Sequence, residues 1–247
     1  MSERLVLLHG FTQTGRSWDG VVAALGSQRY TALAPDLRGH GAAAGARPIT
    51  FEAITRDVLA LGGDRCALAG YSMGGRIALH VALAAPARIS RLVLVATTAG
   101  IADDEERAAR RAADDALAAR IEAQPVEEFA RDWGAQPLFA DQSPEVRALA
   151  HADRLRNEPA GLAASLRGVG TGAMAPLWDR LDTLTMPVEV IVGERDAKFR
   201  AIGERLHAAF PRARLTVVRG AGHAVPLEAP AAVAEVLDAD VPPAERD

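Results

Sequence analysis

Short runs of almost wholly apolar residues recur along this chain, separated by longer stretches in which apolar residues return every three or four positions. Leu5-Val6-Leu7-Leu8, Cys66-Ala67-Leu68-Ala69, Leu92-Val93-Leu94-Val95, Val188-Glu189-Val190-Ile191-Val192 and Leu215-Thr216-Val217-Val218 have strand length and no polar face. Such runs mark strands covered on both sides. A sixth strand is predicted over 30–34. Between them the spacing turns helical: Trp18, Val21, Val22 and Leu25 share one face of a helix over 17–25 capped by Ser17. Phe51, Ile54, Val58 and Leu61 do the same over 50–61, capped by Thr50. Further helices are predicted over 77–85, where Pro86 removes the next backbone donor, and over 202–210 and 229–237. This alternation predicts a doubly wound, mostly parallel sheet with its site at the strands' carboxyl ends. Little chain precedes Leu5, so no antiparallel hairpin is expected ahead of the first strand.

The alternation breaks once. From about 99 to 175 strand-like runs vanish, and residues 103–123 read as an Ala-, Glu- and Arg-rich helix with an acidic first turn. Pro125, Pro137, Pro144 and Pro159 then cut the segment into short helices. Its apolar content is thin, with Phe129, Trp133, Leu138 and Phe139 the main contributors. The expected organisation is a core built from 1–98 and 176–247, with 99–175 inserted as a helical cap over the site.

Composition narrows the picture further. A chain of 247 residues can bury a full core. Its net charge of −4 gives no reason to expect nucleic acid or an anionic membrane. No apolar run reaches membrane-spanning length, and the four apolar residues after Met1-Ser2-Glu3-Arg4 are too few for a signal peptide, so a cytoplasmic location is expected. Cys66 is the single cysteine, which rules out an internal disulfide and reads as a small core residue. Lys198 is the one lysine among 28 basic residues, so an individual arginine means little unless its position says more.

Chemistry concentrates at Gly70-Tyr71-Ser72-Met73-Gly74-Gly75-Arg76. A strand before it and a helix behind it make Gly-x-Ser-x-Gly a nucleophile elbow, with Ser72 at a sharp exposed tip. A neutral hydroxyl needs a base. Ser72, Asp196 and His223 each follow directly on a predicted strand, in the chain order that α/β-hydrolases use. His223 would take the serine proton, and Asp196 would hold the imidazole's tautomer. Glu194 is the alternative acid but lies nearer its strand end. His80 and His207 fall on helices, His151 in the cap, and His40 in a Gly-bracketed turn, so none is read as catalytic. The backbone N–H groups of Phe11, after the His9-Gly10 turn, and of Met73 would converge on one oxygen as an oxyanion hole. No cofactor and no metal are called for. A dehalogenase would carry Asp at the elbow. These residues leave open a carboxylesterase, a carbon–carbon hydrolase, another triad chemistry, or a non-catalytic ligand receptor on the same scaffold.

Resemblance goes further. The elbow, the run Gly193-Glu194-Arg195-Asp196-Ala197-Lys198-Phe199, and Trp133-x-x-Gln136-Pro137-Leu138-Phe139 in the cap are similar to 2-succinyl-6-hydroxy-2,4-cyclohexadiene-1-carboxylate synthases of menaquinone biosynthesis. The similarity runs from the His-Gly strand through Gly222-His223. It implies a lyase that expels pyruvate from 2-succinyl-5-enolpyruvyl-6-hydroxy-3-cyclohexene-1-carboxylate, with Ser72 acting as base. It also implies that Arg76, Arg110 and Arg154 clamp a small tricarboxylate substrate, that Tyr71 and Trp133 line its pocket, and that Lys198 is a structural or substrate-side charge. Where relatives often carry an aromatic pair in the cap, this chain has Trp133-Gly134.

Overall fold

Residues 2–26 and 29–240 are described by a computed structural model; positions 1, 27, 28 and 241–247, the last of them in the expected core span, lie outside the described residues. Six strands form one sheet: β1 (Glu3–Leu8), β2 (Tyr30–Leu33), β3 (Cys66–Tyr71), β4 (Ile89–Val95), β5 (Val188–Gly193) and β6 (Ala213–Val218). Their order is β2-β1-β3-β4-β5-β6, and every recorded pairing is parallel. The helices are α1 (Asp19–Ala24), α2 (Phe51–Gly62), α3 (Met73–Ala84), α4 (Asp104–Glu122), α5 (Val126–Gly134), α6 (Pro144–Arg154), α7 (Pro159–Val169), α8 (Ala197–Ala209), α9 (Val225–Glu228) and α10 (Pro230–Asp238).

A parallel sheet must be covered on both faces, and the two-residue period of its strands divides the core accordingly. Val6, Leu8, Leu68, Leu92 and Leu94 face one cluster with Ile54 and Val58 of α2, Ile77 and Val81 of α3 and Leu206 of α8. The alternate residues Leu5, Leu7, Ala67, Ala69, Val93 and Val95 face the other, with Val21 of α1 and Val233 and Leu237 of α10.

Two helix starts differ from the sequence reading. A 3-10 turn over Gly15–Trp18 precedes α1 and is capped by Thr14, which accepts from the Arg16 N–H, while Ser17 is buried inside the turn. Trp18 and Val21 are buried, whereas Val22 is 38% exposed. Helix α8 begins at Ala197, five residues before its first expected position, because Asp196 caps it by accepting from the Phe199 N–H at 3.1 Å. The Thr50 cap of α2 is as expected.

Between β4 and β5 the chain is helical, as α4–α7. Pro144 and Pro159 occupy first-turn positions of α6 and α7, and Pro125 precedes α5, where a missing N–H costs no helical bond. Helices α4, α5 and α7 share a small apolar cluster of Ala118, Ile121, Phe129, Leu162, Ala163 and Leu166. Toward the sheet the inserted helices are seated by Val169 of α7, which joins the core cluster, and by polar contacts. Asp153 accepts from the Thr14 N–H at 2.9 Å and the Thr14 hydroxyl at 2.5 Å, and Asn157 donates to the Thr12 carbonyl at 2.9 Å. Among the described residues no helix is long and apolar enough to cross a membrane.

Candidate active site

From β1 the chain moves outward to lay down β2, then returns to place β3 on the other side of β1. This reversal opens a crevice beyond the carboxyl ends of β1 and β3. The ends carry His9-Gly10-Phe11 and Ser72. At the elbow Ser72 has φ 51° and ψ −107°, a conformation that L-residues avoid and that costs of the order of 1–3 kcal/mol. Hydrogen bonds on both sides of the residue hold it there. The Ser72 N–H donates to the Val95 carbonyl at 2.9 Å, and the Thr97 hydroxyl donates to the Ser72 carbonyl at 2.7 Å. The tight turn also needs Gly70 and Gly74, since a Cβ at 70 would strike the Gly74 carbonyl and one at 74 the Leu8 carbonyl.

Opposite the elbow, His223 lies on the loop after β6 and Asp196 on the loop after β5. His223 Nδ1 lies 2.7 Å from Asp196 Oδ2, and both side chains are 4% exposed. A carboxylate only accepts, so Nδ1 carries the proton and Nε2 is left to accept from Ser72 Oγ at 3.3 Å. Sharing Asp196 between His223 and the first turn of α8 fixes both of its oxygens. Glu194 instead accepts from the Gly220 N–H at 2.8 Å and has no recorded contact with His223.

These residues open onto a cavity of about 300 Å³. Phe11, Tyr71, Ser72, Met73, Arg76, Arg110, Trp133, Arg154 and His223, all singled out in the sequence, line it; Asp196 stands behind His223. Met73 opens α3, so its N–H has no carbonyl within the helix and is available to the cavity. The charges are one-sided: Arg76, Arg110, Arg154 and Lys198 border the space, and no Asp or Glu does.

The three arginines are held differently. Arg76 is buried and donates to the Val169 carbonyl at 2.5 Å; burial, with Arg110 nearby, pushes its pKa down to about 10, still charged at neutral pH. Arg110 is half-exposed and donates to Asp114 at 2.7 Å. Arg154 is 3% exposed with no recorded ion pair, and its Nε has no partner among the described residues; burial lowers its pKa. Its guanidinium stands 5.2 Å from the centre of the Phe139 ring. Gly134 makes room for it, since a Cβ there would sit 3.1 Å from Arg154 Nη1. A charge so dehydrated and unpaired is costly unless an anion joins it.

His9, His40 and His80 serve packing, while His207 is exposed on α8. His9 accepts from the Leu37 N–H at Nε2, so its Nδ1 donates to the Gly10 carbonyl. His40 packs edge-on against it and His80 stacks on Phe51. Burial holds all three pKa values below the usual histidine range. The sequence reading did not single out Gln13, Thr97, Ser165 or Glu228. Gln13 lines the cavity with its Oε1 buried and unpartnered, and its one sequence cue is its place just past His9-Gly10-Phe11. Among the described residues no cluster of His, Cys, Asp and Glu is placed to hold a metal ion.

Known proteins resemble this arrangement along nearly its whole length. The model of the alpha/beta hydrolase family matches residues 5–236. A Klebsiella pneumoniae 2-succinyl-6-hydroxy-2,4-cyclohexadiene-1-carboxylate synthase is 35% identical over 94% of this chain and 91% of its own. A Bacillus subtilis protein given that name provisionally is 38% identical over 93% and 86%. Among solved structures, MenH from S. aureus superposes with a TM-score of 0.88 at 30% identity, over 95% of this chain and 91% of that one. A thermophilic esterase from Thermogutta terrifontis, solved with malate bound, gives 0.83 at 26% identity over 96% and 88%.

Proposed function

Because the chain belongs to the 2-succinyl-6-hydroxy-2,4-cyclohexadiene-1-carboxylate synthase family of the α/β-hydrolases, we propose that it eliminates pyruvate from 2-succinyl-5-enolpyruvyl-6-hydroxy-3-cyclohexene-1-carboxylate in menaquinone biosynthesis. One observation carries the assignment of substrate: four cations and no carboxylate border the cavity, one of the cations a buried, unpaired guanidinium. A substrate with three carboxylates meets that need, and the planar fork of arginine suits a carboxylate better than an ammonium does.

In this reading His223 draws the proton from Ser72, and the serine oxygen removes the ring proton next to the succinyl ketone. The electron pair left behind passes into the ketone as an enolate. Its oxygen faces the Phe11 and Met73 N–H groups, each worth ~3 kcal/mol when preorganised. As the ketone re-forms, the pair moves through the ring double bond and expels enolpyruvate, which takes up a proton to become pyruvate. Asp196 keeps the imidazole in the tautomer that can accept and stabilises it once charged. Helices α4–α7 act as the cap, with Arg110 and Arg154 as carboxylate clamps alongside Arg76, and Tyr71 and Trp133 as walls. The reading places the reaction in the cytoplasm.

Purified protein mixed with the enolpyruvyl substrate should release pyruvate, with the diene product appearing in step. Release no faster than the spontaneous rate would remove the assignment. A second reading, a carboxylesterase with the same triad, draws on the likeness to the Thermogutta esterase. It would appear as turnover of neutral aryl esters with a covalent adduct on Ser72, whereas the lyase should show only unmodified chain by intact mass during turnover.

A further inference from the structure

His223 sits on a loop with no regular secondary structure, between β6 and α9. Its Nε2 lies 3.3 Å from Ser72 Oγ, at the long end of hydrogen bonding, so a displacement of a few tenths of an ångström breaks the contact. One carboxylate grips the loop on both sides of the histidine. Glu228 accepts from the Gly222 N–H at 2.7 Å on Oε2 and from the Ala224 N–H at 3.0 Å on Oε1. The two peptides lie on either side of His223. The Glu228 side chain is 6% exposed, and Arg195 Nη2 donates to Oε2 at 3.2 Å from its far side. Arg195 precedes Asp196, its N–H donates to the Ala221 carbonyl at 2.9 Å, and its Nη1 donates to the Asp141 carbonyl at 3.2 Å.

We propose that Glu228 is a positioning residue for His223: by gripping the backbone on both sides of it, the carboxylate aims Nε2 at Ser72. The proposal rests on the reading of His223 as the base. It goes beyond that reading by giving a fourth side chain, outside the triad, control over the triad's geometry. A carboxylate is the group this job needs, because two oxygens can meet two converging N–H donors. A glutamine offers one oxygen and sets an N–H against a backbone N–H. An aspartate keeps the charge but stops one methylene short.

The test compares E228Q and E228D with E194Q, whose parent carboxylate grips Gly220 on the same loop without touching the peptides next to His223. Two measurements are made below the melting transition. Kinetics should show kcat falling about a hundredfold in E228Q, the scale expected for a misaimed catalytic group, with KM within twofold. E228D should lose at least tenfold, and E194Q should match wild type. Proton NMR of the free protein, which needs no substrate, should show the His223 Nδ1–H bonded to Asp196 broadened or lost in E228Q and sharp in E194Q. Should pyruvate elimination prove to be the wrong reaction, this resonance still reports on Glu228. An unchanged resonance overturns the proposal. So does full activity in E228D with loss confined to E228Q, which would mean that charge rather than grip matters, or an equal loss in E194Q, which would mean general softening of the loop.

Discussion

The floor of the cavity comes from strand ends and its roof from the inserted helices, and the two are fixed by different forces. Ser72, Asp196 and His223 stand on loops anchored to a sheet whose two faces are sealed by large apolar clusters. The roof has six buried residues in its own cluster, meets the core through Val169 of α7, and is pinned to the floor by side-chain hydrogen bonds such as Asp153 to Thr14 and Asn157 to Thr12. Geometry for making and breaking bonds is thus built into the part held by apolar burial, which is insensitive to detail. Two of the four cations, Arg110 and Arg154, sit in the part pinned by individual polar contacts, each of which can be lost singly, while Arg76 and Lys198 stand on the core helices α3 and α8.

The largest expected effect breaks the floor. Ser72→Ala should lower kcat by about a thousandfold or more while leaving the fold intact, as for other triad members. Pyruvate release and circular dichroism together check this, and activity within tenfold of wild type would mean the elbow is not the reacting group. Next comes the roof. Arg154→Ala should cost ~2–4 kcal/mol in kcat/KM for the anionic substrate, since it removes a charged partner in a dehydrated site, and Arg154→Lys should restore only part. Turnover of a neutral aryl ester, if any, should survive both. Arg110→Ala should cost less than Arg154→Ala, because Arg110 is half-exposed and already paired with Asp114.

Seating of the roof comes third. Asp153→Asn keeps the size of the side chain but discards the carboxylate that takes both Thr14 donors, and should lower stability by about 1–2 kcal/mol, read from the shift in denaturant midpoint. The smallest effect is Arg120→Ala on the outer face of α4, under ~0.5 kcal/mol by either measure. A matching loss at 120 and 154 would dissolve the distinction between a clamp and a bystander. The floor also has a pH signature. Burial makes His9, His40 and His80 take up protons less readily in the folded protein, whereas the unfolded chain takes them up at these sites below about pH 6.5. Stability is therefore complete above that pH and is lost as pH falls toward the lowered folded values. Thermal melting at pH 7 and 5.5 should show the drop, and His40→Gln should flatten it.

How much of this could be read from the residues alone follows the same division. β1, β3 and β4 were legible because buried parallel strands leave unbroken apolar runs, and the elbow because a strand, two glycines and a helix must coincide. Helix α8 was read too short because Ala197-Lys198-Phe199-Arg200 carries little apolar periodicity, its start being set by the Asp196 cap. Arg154 was placed by resemblance only: on an amphipathic helix an arginine looks solvated, and nothing local says that it turns inward past Gly134. Glu228 left no trace because two of its partners are backbone N–H groups, which every sequence has, and the third, Arg195, is one arginine among many.

The scarcity of lysine has a practical side. Lys198 lies on the rim of the cavity, exposed, and no other side chain in the protein carries a primary amine. An amine-directed dye, used where the terminal amino group is blocked, would therefore mark one position only. Its brightness would follow the filling of the cavity in real time, turning a peculiarity of composition into a built-in gauge of occupancy.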